Sequence, residues 1–135
     1  MAEALLRKAL ADRGLDVTVS SAGTGAWDGS PASEGAYLVA LEHGLDLSGH
    51  AARTLSPELV DAADLILTMS SHHRTRVIEL GGEEKVHVLG QYAGRPDHPD
   101  VSDPFGGDLA SYRATFVELQ ELVDRVVSRV AGSVA

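Results

Sequence analysis

The residues with the clearest capacity for chemistry lie in an acidic stretch near the end of the chain, DVSDPFGG at positions 100–107. Pro104 lacks a backbone donor and the pair Gly106-Gly107 permits backbone angles that other residues avoid, so the stretch is predicted to be a loop. A carboxylate on such a loop can point into a cleft without being buried in a core. Asp103 is therefore a candidate site residue, and a solvated turn is the alternative that composition alone favours.

Other candidate residues lie in further predicted loops. Trp27, the only tryptophan, follows a glycine-rich stretch, where it either plugs a surface groove or contacts a substrate. His72 and His73 could contact a phosphate or a metal, but adjacent side chains point in different directions on a helix, so a solvated helix start is the simpler interpretation. The aspartates of segment 97–108 lack the spacing of a calcium loop. No metal and no cofactor are expected.

The pattern of apolar residues predicts the elements that position these candidates. The segment Leu65 to Met69 is a continuous apolar run between polar residues, which is typical of a strand buried on both faces of a parallel sheet. Pairs of serine and proline at positions 30–31 and 56–57 indicate helix starts. The predicted helices cover residues 1–13, 30–43, 56–62, 70–80 and 108–130, the predicted strands cover 17–20, 65–69 and 85–89, and residues 132–135 are predicted to be a frayed tail.

This alternation of helices and short strands predicts an α/β fold with a parallel sheet. Ligands of such sheets bind outside the carboxyl ends of the strands. The loops that follow Ser20, Met69 and Leu89 would meet at that edge. Trp27, the region from Ser70 to His73, and Asp103 are therefore expected to share one site.

The totals restrict the class of protein. The chain of 135 residues fits a single domain, 1–135, with one core. Its net charge of −9 repels phosphate backbones and anionic lipid, so no nucleic-acid or membrane partner is expected. No apolar run is long enough to cross a bilayer and no leader-like segment opens the chain, so a cytoplasmic location is expected. The chain contains no cysteine, which excludes disulfides, thiolate metal sites and a cysteine nucleophile among these residues.

Five segments together resemble the low-molecular-weight protein tyrosine phosphatase family, and most of all its bacterial members that act as protein arginine phosphatases. They occur in the family's order and at its spacing across nearly the whole chain. The five segments are MAEALL (1–6), SAGT (21–24), LSGHAAR (47–53), DLILTM (64–69) and DPFGG (103–107). One such match would carry little weight, but five in register are specific.

The resemblance implies a flavodoxin-like parallel sheet and hydrolysis of phosphoproteins in two steps. In that family a cysteine thiolate attacks phosphorus within a phosphate-binding loop that also holds an arginine, and backbone amides at a helix N-terminus stabilise the anionic transition state. An aspartate before a proline protonates the leaving group and then activates water. The second family with a related fold, the arsenate reductases, needs several cysteines and does not fit this chain.

Roles for individual residues follow from the resemblance. Asp103 matches the general acid, and Phe105 matches the aromatic residue that walls the substrate pocket. Trp27 resembles the aromatic residue on the opposite wall, and His50 resembles a histidine that supports the phosphate loop by hydrogen bonding. Arg53 is expected to be a structural partner of that site.

One departure from the family pattern changes the expected activity. In the family, the first strand and the loop with the nucleophilic cysteine come immediately before the MAEA segment, whereas this chain starts at Met1. The first helix accordingly has no Ser, Thr, Asp or Asn before it as an N-cap. We therefore expect an N-terminally truncated phosphatase-like domain that lacks the first strand and is inactive by itself.

A function of a different class is the alternative. A noncatalytic binding or regulatory module could complete its sheet with a strand from a partner or a second copy. The sequence leaves open the physiological substrate, the oligomeric state and the choice between phosphoarginine and phosphotyrosine, although Phe105 in place of tyrosine favours the arginine type. The expected partner of the catalytic function is a phosphorylated protein, with phosphate-like anions bound only if the missing loop is supplied.

Overall fold

The computed structural model describes residues 1–25 and 27–134, with side chains as far as Gly132. Two strands and six helices are found in this part of the chain. In order they are α1 (Ala2–Asp12), α2 (Glu34–Glu42), α3 (Pro57–Ala62), β1 (Ile66–Thr68), α4 (Ser71–Glu79), β2 (Val86–Val88), α5 (Leu89–Tyr92) and α6 (Leu109–Val134). All five predicted helices and two of the three predicted strands are confirmed.

The two strands form the parallel pair that the apolar runs predict. Ile66 lies opposite Val86 and Thr68 lies opposite Val88. Val86 and Val88, which lie on the same face of β2, are both buried, and His87 on the opposite face is half-buried. An isolated parallel bridge between Gly23 and Thr54 lies outside this sheet.

The strand predicted at residues 17–20 is wrong, since the structure has no strand there. Among the described residues, no backbone–backbone hydrogen bond involves residues 16–22. The carbonyl of Val19 instead accepts a hydrogen bond of 2.7 Å from the Arg7 guanidinium. β-Branched residues favour a strand only where a second backbone offers ladder partners, and none does so at this position.

The core lies between the long helix α6 and the helices α1 and α2, which pack against it. Its most deeply buried side chains come from both α2 and α6: Val39, Phe116, Leu122, Val126 and Val127. A smaller apolar cluster joins Val60 of α3, Val77 of α4 and Val86 of β2. The sheet is therefore held between two cores, one on each side of β1.

Helix α1 lacks a side-chain cap, in agreement with the absence of a capping residue in the sequence. Met1 occupies the N-cap position without a side-chain hydrogen bond to the helix. Burial lowers the pKa of the Met1 α-amino group, while the nearby Glu3 carboxylate opposes that shift.

Three element boundaries differ from the prediction. Helix α2 begins at Glu34 rather than after Ser30, because the Ser30 carbonyl accepts a hydrogen bond of 2.8 Å from the Ala52 amide and is held outside the helix. Helix α5 follows β2 without a loop, so the predicted strand is one residue shorter at its end. Helix α6 continues through Gly132 to Val134, so the predicted frayed tail is wrong as far as that residue, while Ala135 lies outside the described residues.

A close approach between α2 and α6 gives a test of the packing. A Cβ atom at Gly35 would lie 2.4 Å from the ring of Tyr112, which is buried and whose hydroxyl is held by the Ser33 hydroxyl at 3.2 Å. Gly35→Ala is expected to lower the free energy of unfolding by about 1–2 kcal/mol, because overpacking of roughly 1–3 kcal/mol exceeds the helix-propensity gain of up to about 1 kcal/mol. Urea unfolding measures this change.

Gly49 provides the matched control for Gly35→Ala. A Cβ atom there meets no atom within 4 Å, so Gly49→Ala should leave the free energy of unfolding close to the wild-type value. Equal stability of the two alanine variants would contradict the close packing of α2 against Tyr112.

None of the helices within residues 1–25 and 27–134 combines the length and the apolar character that crossing a membrane requires.

Candidate active site

The segment from Ser102 to Gly107, called the acid loop below, forms a tight exposed turn. The amide of Phe105 donates a hydrogen bond of 3.0 Å to Oδ1 of Asp103, and the amide of Gly107 donates one of 2.7 Å to the Pro104 carbonyl. Gly106 closes the turn with a φ of +80°, a value that side chains with a Cβ atom seldom adopt. The loop predicted from composition is therefore present, and its own backbone holds the Asp103 carboxylate.

The acid loop begins beside the carboxyl end of β1, where ligand-binding loops of a parallel sheet are expected. Val101, which is buried, donates its amide to the carbonyl of Met69 at a distance of 2.7 Å. Met69 directly follows β1, so the first residue before the acid loop is bonded to the edge of the sheet. Asp103 thereby stands at the sheet edge where ligands of such folds bind.

Both candidate aromatic residues are exposed. The side chain of Phe105 is 77% exposed and that of Trp27 is 83% exposed. Trp27 therefore does not plug a groove of this chain, which removes one of the two interpretations of a lone loop tryptophan. The predicted role of both side chains in substrate binding stays a prediction.

The glycine-rich loop that carries Trp27 is fixed to the segment that carries Arg53. The Gly29 amide bonds to the Ala52 carbonyl at 2.8 Å, and the Gly23 amide bonds to the Arg53 carbonyl at 2.9 Å. Oδ1 of Asp28 accepts a hydrogen bond of 2.7 Å from the Thr54 amide. The loop is therefore positioned by backbone contacts on both sides of Trp27.

This last contact depends on pH. The hydrogen bond donated by the Thr54 amide lowers the pKa of Asp28 below its ordinary value, because it stabilises the charged carboxylate. The stabilisation is fully present above the pKa that Asp28 has in the unfolded chain. It is lost as the pH falls through the lowered pKa of Asp28 in the folded chain. The anchor of the Trp27 loop is therefore a feature of neutral pH and weakens in acid.

His50 lies half-buried in the connection between α2 and α3, and its amide bonds to the Leu47 carbonyl at 3.1 Å. Its ring and the Arg53 guanidinium have no hydrogen-bond partner in the part of the chain that the structure describes. The predicted supporting role of His50 stays a prediction, as does that of Arg53. The structure brings Asp103 to Phe105 and the Trp27 loop to Arg53.

The region from Ser70 to His73 begins helix α4 at the same sheet edge. The Ser70 hydroxyl caps the helix by accepting the His73 amide at 3.3 Å and also lies 3.0 Å from Nδ1 of His73. The His72 and His73 rings stack with centroids 5.1 Å apart. An open cleft of about 490 Å³ lies between Thr24 and the face of α4 formed by His72, Thr75, Arg76 and Glu79.

Metal binding finds no support in these contacts. Within residues 1–25 and 27–134, no three side chains of His, Cys, Asp or Glu come together as a metal would need. His73 is engaged by Ser70 instead. The sequence-based expectation that no metal is bound stays a prediction.

Two residues just before the acid loop make contacts that the sequence analysis did not predict. Asp100 accepts hydrogen bonds from the amide and the hydroxyl of Ser71, at 3.0 and 3.2 Å. Arg95 forms an ion pair of 2.9 Å with Glu118 of α6 and donates to the carbonyls of His98 and Asp100. The side-chain partners Ser71 and Glu118 lie 29 and 23 residues away, so neither of these two contacts carries a local sequence signal.

The fold and the candidate site have three features in common with an enzyme that transfers protons. They combine a small α/β domain, an exposed aspartate on a proline-glycine loop at the carboxyl end of a parallel strand, and two exposed aromatic residues. Such a site can transfer a proton to or from a bound group. The 135 residues contain no thiol that could attack a substrate covalently.

Comparison with known proteins identifies the family. Residues 1–134 match the family model described as low molecular weight phosphotyrosine protein phosphatase. A protein-arginine-phosphatase of Bacillus subtilis is 35% identical over 132 residues, which cover 96% of this chain and 87% of the relative. A probable low molecular weight protein-tyrosine-phosphatase EpsP of Ralstonia solanacearum is 36% identical, with 96% of this chain and 86% of the relative covered.

A solved structure agrees in fold as well as in sequence. A mutant of the YwlE arginine phosphatase with a phosphorylated active site serine superposes with a TM-score of 0.90 and 34% identity, covering 96% of this chain and 86% of that one. The chain belongs to the low molecular weight phosphotyrosine protein phosphatase family. The predicted α/β fold of the phosphatase type is confirmed, while the described residues form a parallel sheet of two strands.

Proposed function

We propose that this chain carries the general acid and the substrate-binding walls of a phosphatase that hydrolyses phosphorylated proteins. Asp103 is the general acid, Trp27 and Phe105 flank the phosphorylated side chain, and His50 supports the phosphate-binding loop. The observation that carries the proposal is the exposed Asp103 carboxylate, bonded to the Phe105 amide at the carboxyl end of β1. Phosphorylated proteins of the cytoplasm are the proposed substrates.

The proposed chemistry has two steps. A cysteine thiolate forms a bond between sulfur and phosphorus while the bond from phosphorus to the leaving oxygen or nitrogen breaks, and the Asp103 carboxyl gives its proton to the leaving atom. Water then attacks phosphorus, the Asp103 carboxylate takes a proton from it, and the thiolate leaves. A related arginine phosphatase that is phosphorylated at an active site serine supports a covalent phosphoenzyme.

The thiolate is the part that this chain does not provide, because none of its 135 residues is cysteine. A carboxylic acid can donate a proton, but it cannot take the place of the thiolate in the covalent step as described. We therefore propose that the 135-residue chain is inactive unless a segment with the family's cysteine loop is supplied.

Two types of phosphorylated residue fit this chemistry. Relatives of similar identity are named for phosphoarginine and for phosphotyrosine. Phosphoarginine loses a nitrogen and phosphotyrosine loses a phenolic oxygen, and Asp103 can protonate either atom. Phe105 in place of tyrosine favours the arginine type in this proposal.

Turnover of p-nitrophenyl phosphate tests the proposal. The purified 135-residue chain is expected to give no hydrolysis above the blank. A chain extended before Met1 by the first strand and cysteine loop of the Bacillus subtilis relative is expected to turn over, because the nucleophile and its anion-binding amides are then present. The matched control carries serine in place of the introduced cysteine and should lose turnover.

The outcomes separate the possible functions. Hydrolysis by the unextended chain would contradict the need for an external thiolate. A folded extended chain that binds phosphate yet hydrolyses neither a phosphotyrosine peptide nor phosphoarginine would contradict the phosphatase proposal. A preference between those two substrates decides the type of phosphorylated residue.

A second candidate function rests on the unpaired backbone of this structure. Among the described residues, no backbone–backbone hydrogen bond involves residues 16–22, and β1 pairs with β2 alone. Leu65, just before β1, and Val17 are both exposed although they are large and apolar. An extended apolar strand from a partner protein could bond along this edge, as in strand addition, and the chain would then be a noncatalytic binding module.

A further inference from the structure

We propose that Asp100 is a positioning residue that holds the acid loop against the N-terminus of helix α4. This inference rests on the proposed role of Asp103 as general acid, although the contact itself does not. Oδ1 of Asp100 accepts the Ser71 amide at 3.0 Å and the Ser71 hydroxyl at 3.2 Å. The two residues are 29 positions apart, so this bond joins two separate parts of the chain.

Electrostatics favour a carboxylate at this point. The N-terminus of an α-helix carries unpaired amide groups and a partial positive charge, which acidic side chains in the first turn usually offset. Helix α4 has no acidic residue in its first turn. Asp100 supplies the negative charge from outside the helix, and the Ser70 hydroxyl satisfies the amide of His73.

The backbone on both sides of Asp100 is fixed as well. The amide of Gly90 donates to the carbonyl of Pro99 at 3.1 Å, and a Cβ atom at Gly90 would collide with that carbonyl. The amide of Val101 donates to the Met69 carbonyl at 2.7 Å. Residues 99–101 are therefore attached to α5, to α4 and to the end of β1.

Arg95 attaches the same segment to helix α6. Its guanidinium donates hydrogen bonds to the His98 carbonyl at 2.6 Å and to the Asp100 carbonyl at 3.4 Å. It also forms an ion pair of 2.9 Å with the Glu118 carboxylate. The side chain of Asp100 thus contacts α4 while its carbonyl contacts the arginine that is bound to α6. A loss of the Asp100 carboxylate would leave the α6 side of the segment in place.

Within residues 1–25 and 27–134, the hydrogen bonds found for the acid loop are local ones. The Phe105 amide donates to Asp103 and the Gly107 amide donates to the Pro104 carbonyl. Asp103 lies three residues after Asp100 in the chain. The anchored segment 99–101 therefore sets where the Asp103 carboxylate stands relative to the sheet edge.

Hydrogen exchange of backbone amides, followed by NMR on the 135-residue chain, tests the proposal. In Asp100→Ala the Val101 amide is expected to exchange roughly tenfold faster or more, because a hydrogen bond to a charged group is lost. The Phe105 amide signal should also shift. Buried amides of α6, such as that of Leu122, should accelerate less than the Val101 amide, because their exchange reports the smaller change in global stability.

Matched variants separate the carboxylate from the other contacts. Asp100→Asn keeps an acceptor oxygen and should restore part of the protection of Val101. Ser71→Ala keeps the backbone donor and should have a small effect, whereas Ser71→Asp sets a second carboxylate against Asp100 and should match Asp100→Ala. Asp97→Ala removes an exposed carboxylate of the same loop and should change neither signal.

Two results would overturn the proposal. One is an unchanged exchange rate of Val101 together with an unchanged Phe105 signal in Asp100→Ala. The other is equal acceleration at Val101 and at Leu122, which would mean that Asp100 contributes only to global stability. These measurements need no turnover, so a failure of Asp103 as the general acid would be detected separately and would leave the anchor standing.

Discussion

Phe116→Ala is expected to lower the free energy of unfolding by about 3–5 kcal/mol, the range for truncating a fully buried aromatic side chain. The Phe116 side chain is 0% exposed and stacks on the ring of His43, with centroids 4.2 Å apart and planes inclined by 23°. It lies where α6 packs on α2, in the same core as Val39 and Leu119. Removing the ring therefore opens a cavity between two helices rather than at the surface.

The loss would be a large share of the total, because domains of this size have about 5–15 kcal/mol of stability in all. Urea unfolding followed by circular dichroism measures it. Phe105→Ala is the matched control, since that side chain is 77% exposed, and its free energy of unfolding should stay within about 0.5 kcal/mol of the wild type. A similar loss in both variants would contradict the assignment of Phe116 to the core.

The sequence predicts an element well where the signal is local. The apolar run from Leu65 to Met69 predicts β1, and the pair Ser56-Pro57 predicts the start of α3, because the Ser56 hydroxyl caps the helix by accepting the Leu59 amide. The segment 17–20 has the composition of a strand, but among the described residues no second backbone forms hydrogen bonds with it. A strand needs a second backbone, and whether one is present cannot be deduced from four residues.

The parts of the site also differ in whether their contacts are local along the chain. Proline and glycine around Asp103 predict the acid loop, and the only tryptophan of the chain, Trp27, is predicted to lie in a loop, but its exposure is known only from the structure. Asp100 and Arg95 escape prediction, because their partners Ser71 and Glu118 are 29 and 23 residues away. Turn chemistry is local, whereas the attachment of a turn to the fold depends on tertiary contacts.

Asp103→Asn is expected to lower kcat by about 10²–10⁴-fold in the chain extended by the family's cysteine loop, the usual range for loss of a general acid. Asparagine preserves the size of the side chain and an oxygen that can accept the Phe105 amide, so the turn should persist. It cannot give a proton to the leaving atom. The effect should therefore be confined to the chemical step and leave substrate binding nearly unchanged.

The leaving group discriminates between a proton donor and a structural residue. Phenyl phosphate releases a strongly basic phenolate that needs the proton, whereas p-nitrophenyl phosphate releases a stabilised anion that needs it less. Asp103→Asn should therefore depress kcat for phenyl phosphate much more than for p-nitrophenyl phosphate. Asp97→Asn, a control in the preceding loop, should lower neither value. Equal losses for both substrates would argue against proton donation by Asp103, because a displaced loop or a poorly folded protein would not distinguish the leaving groups.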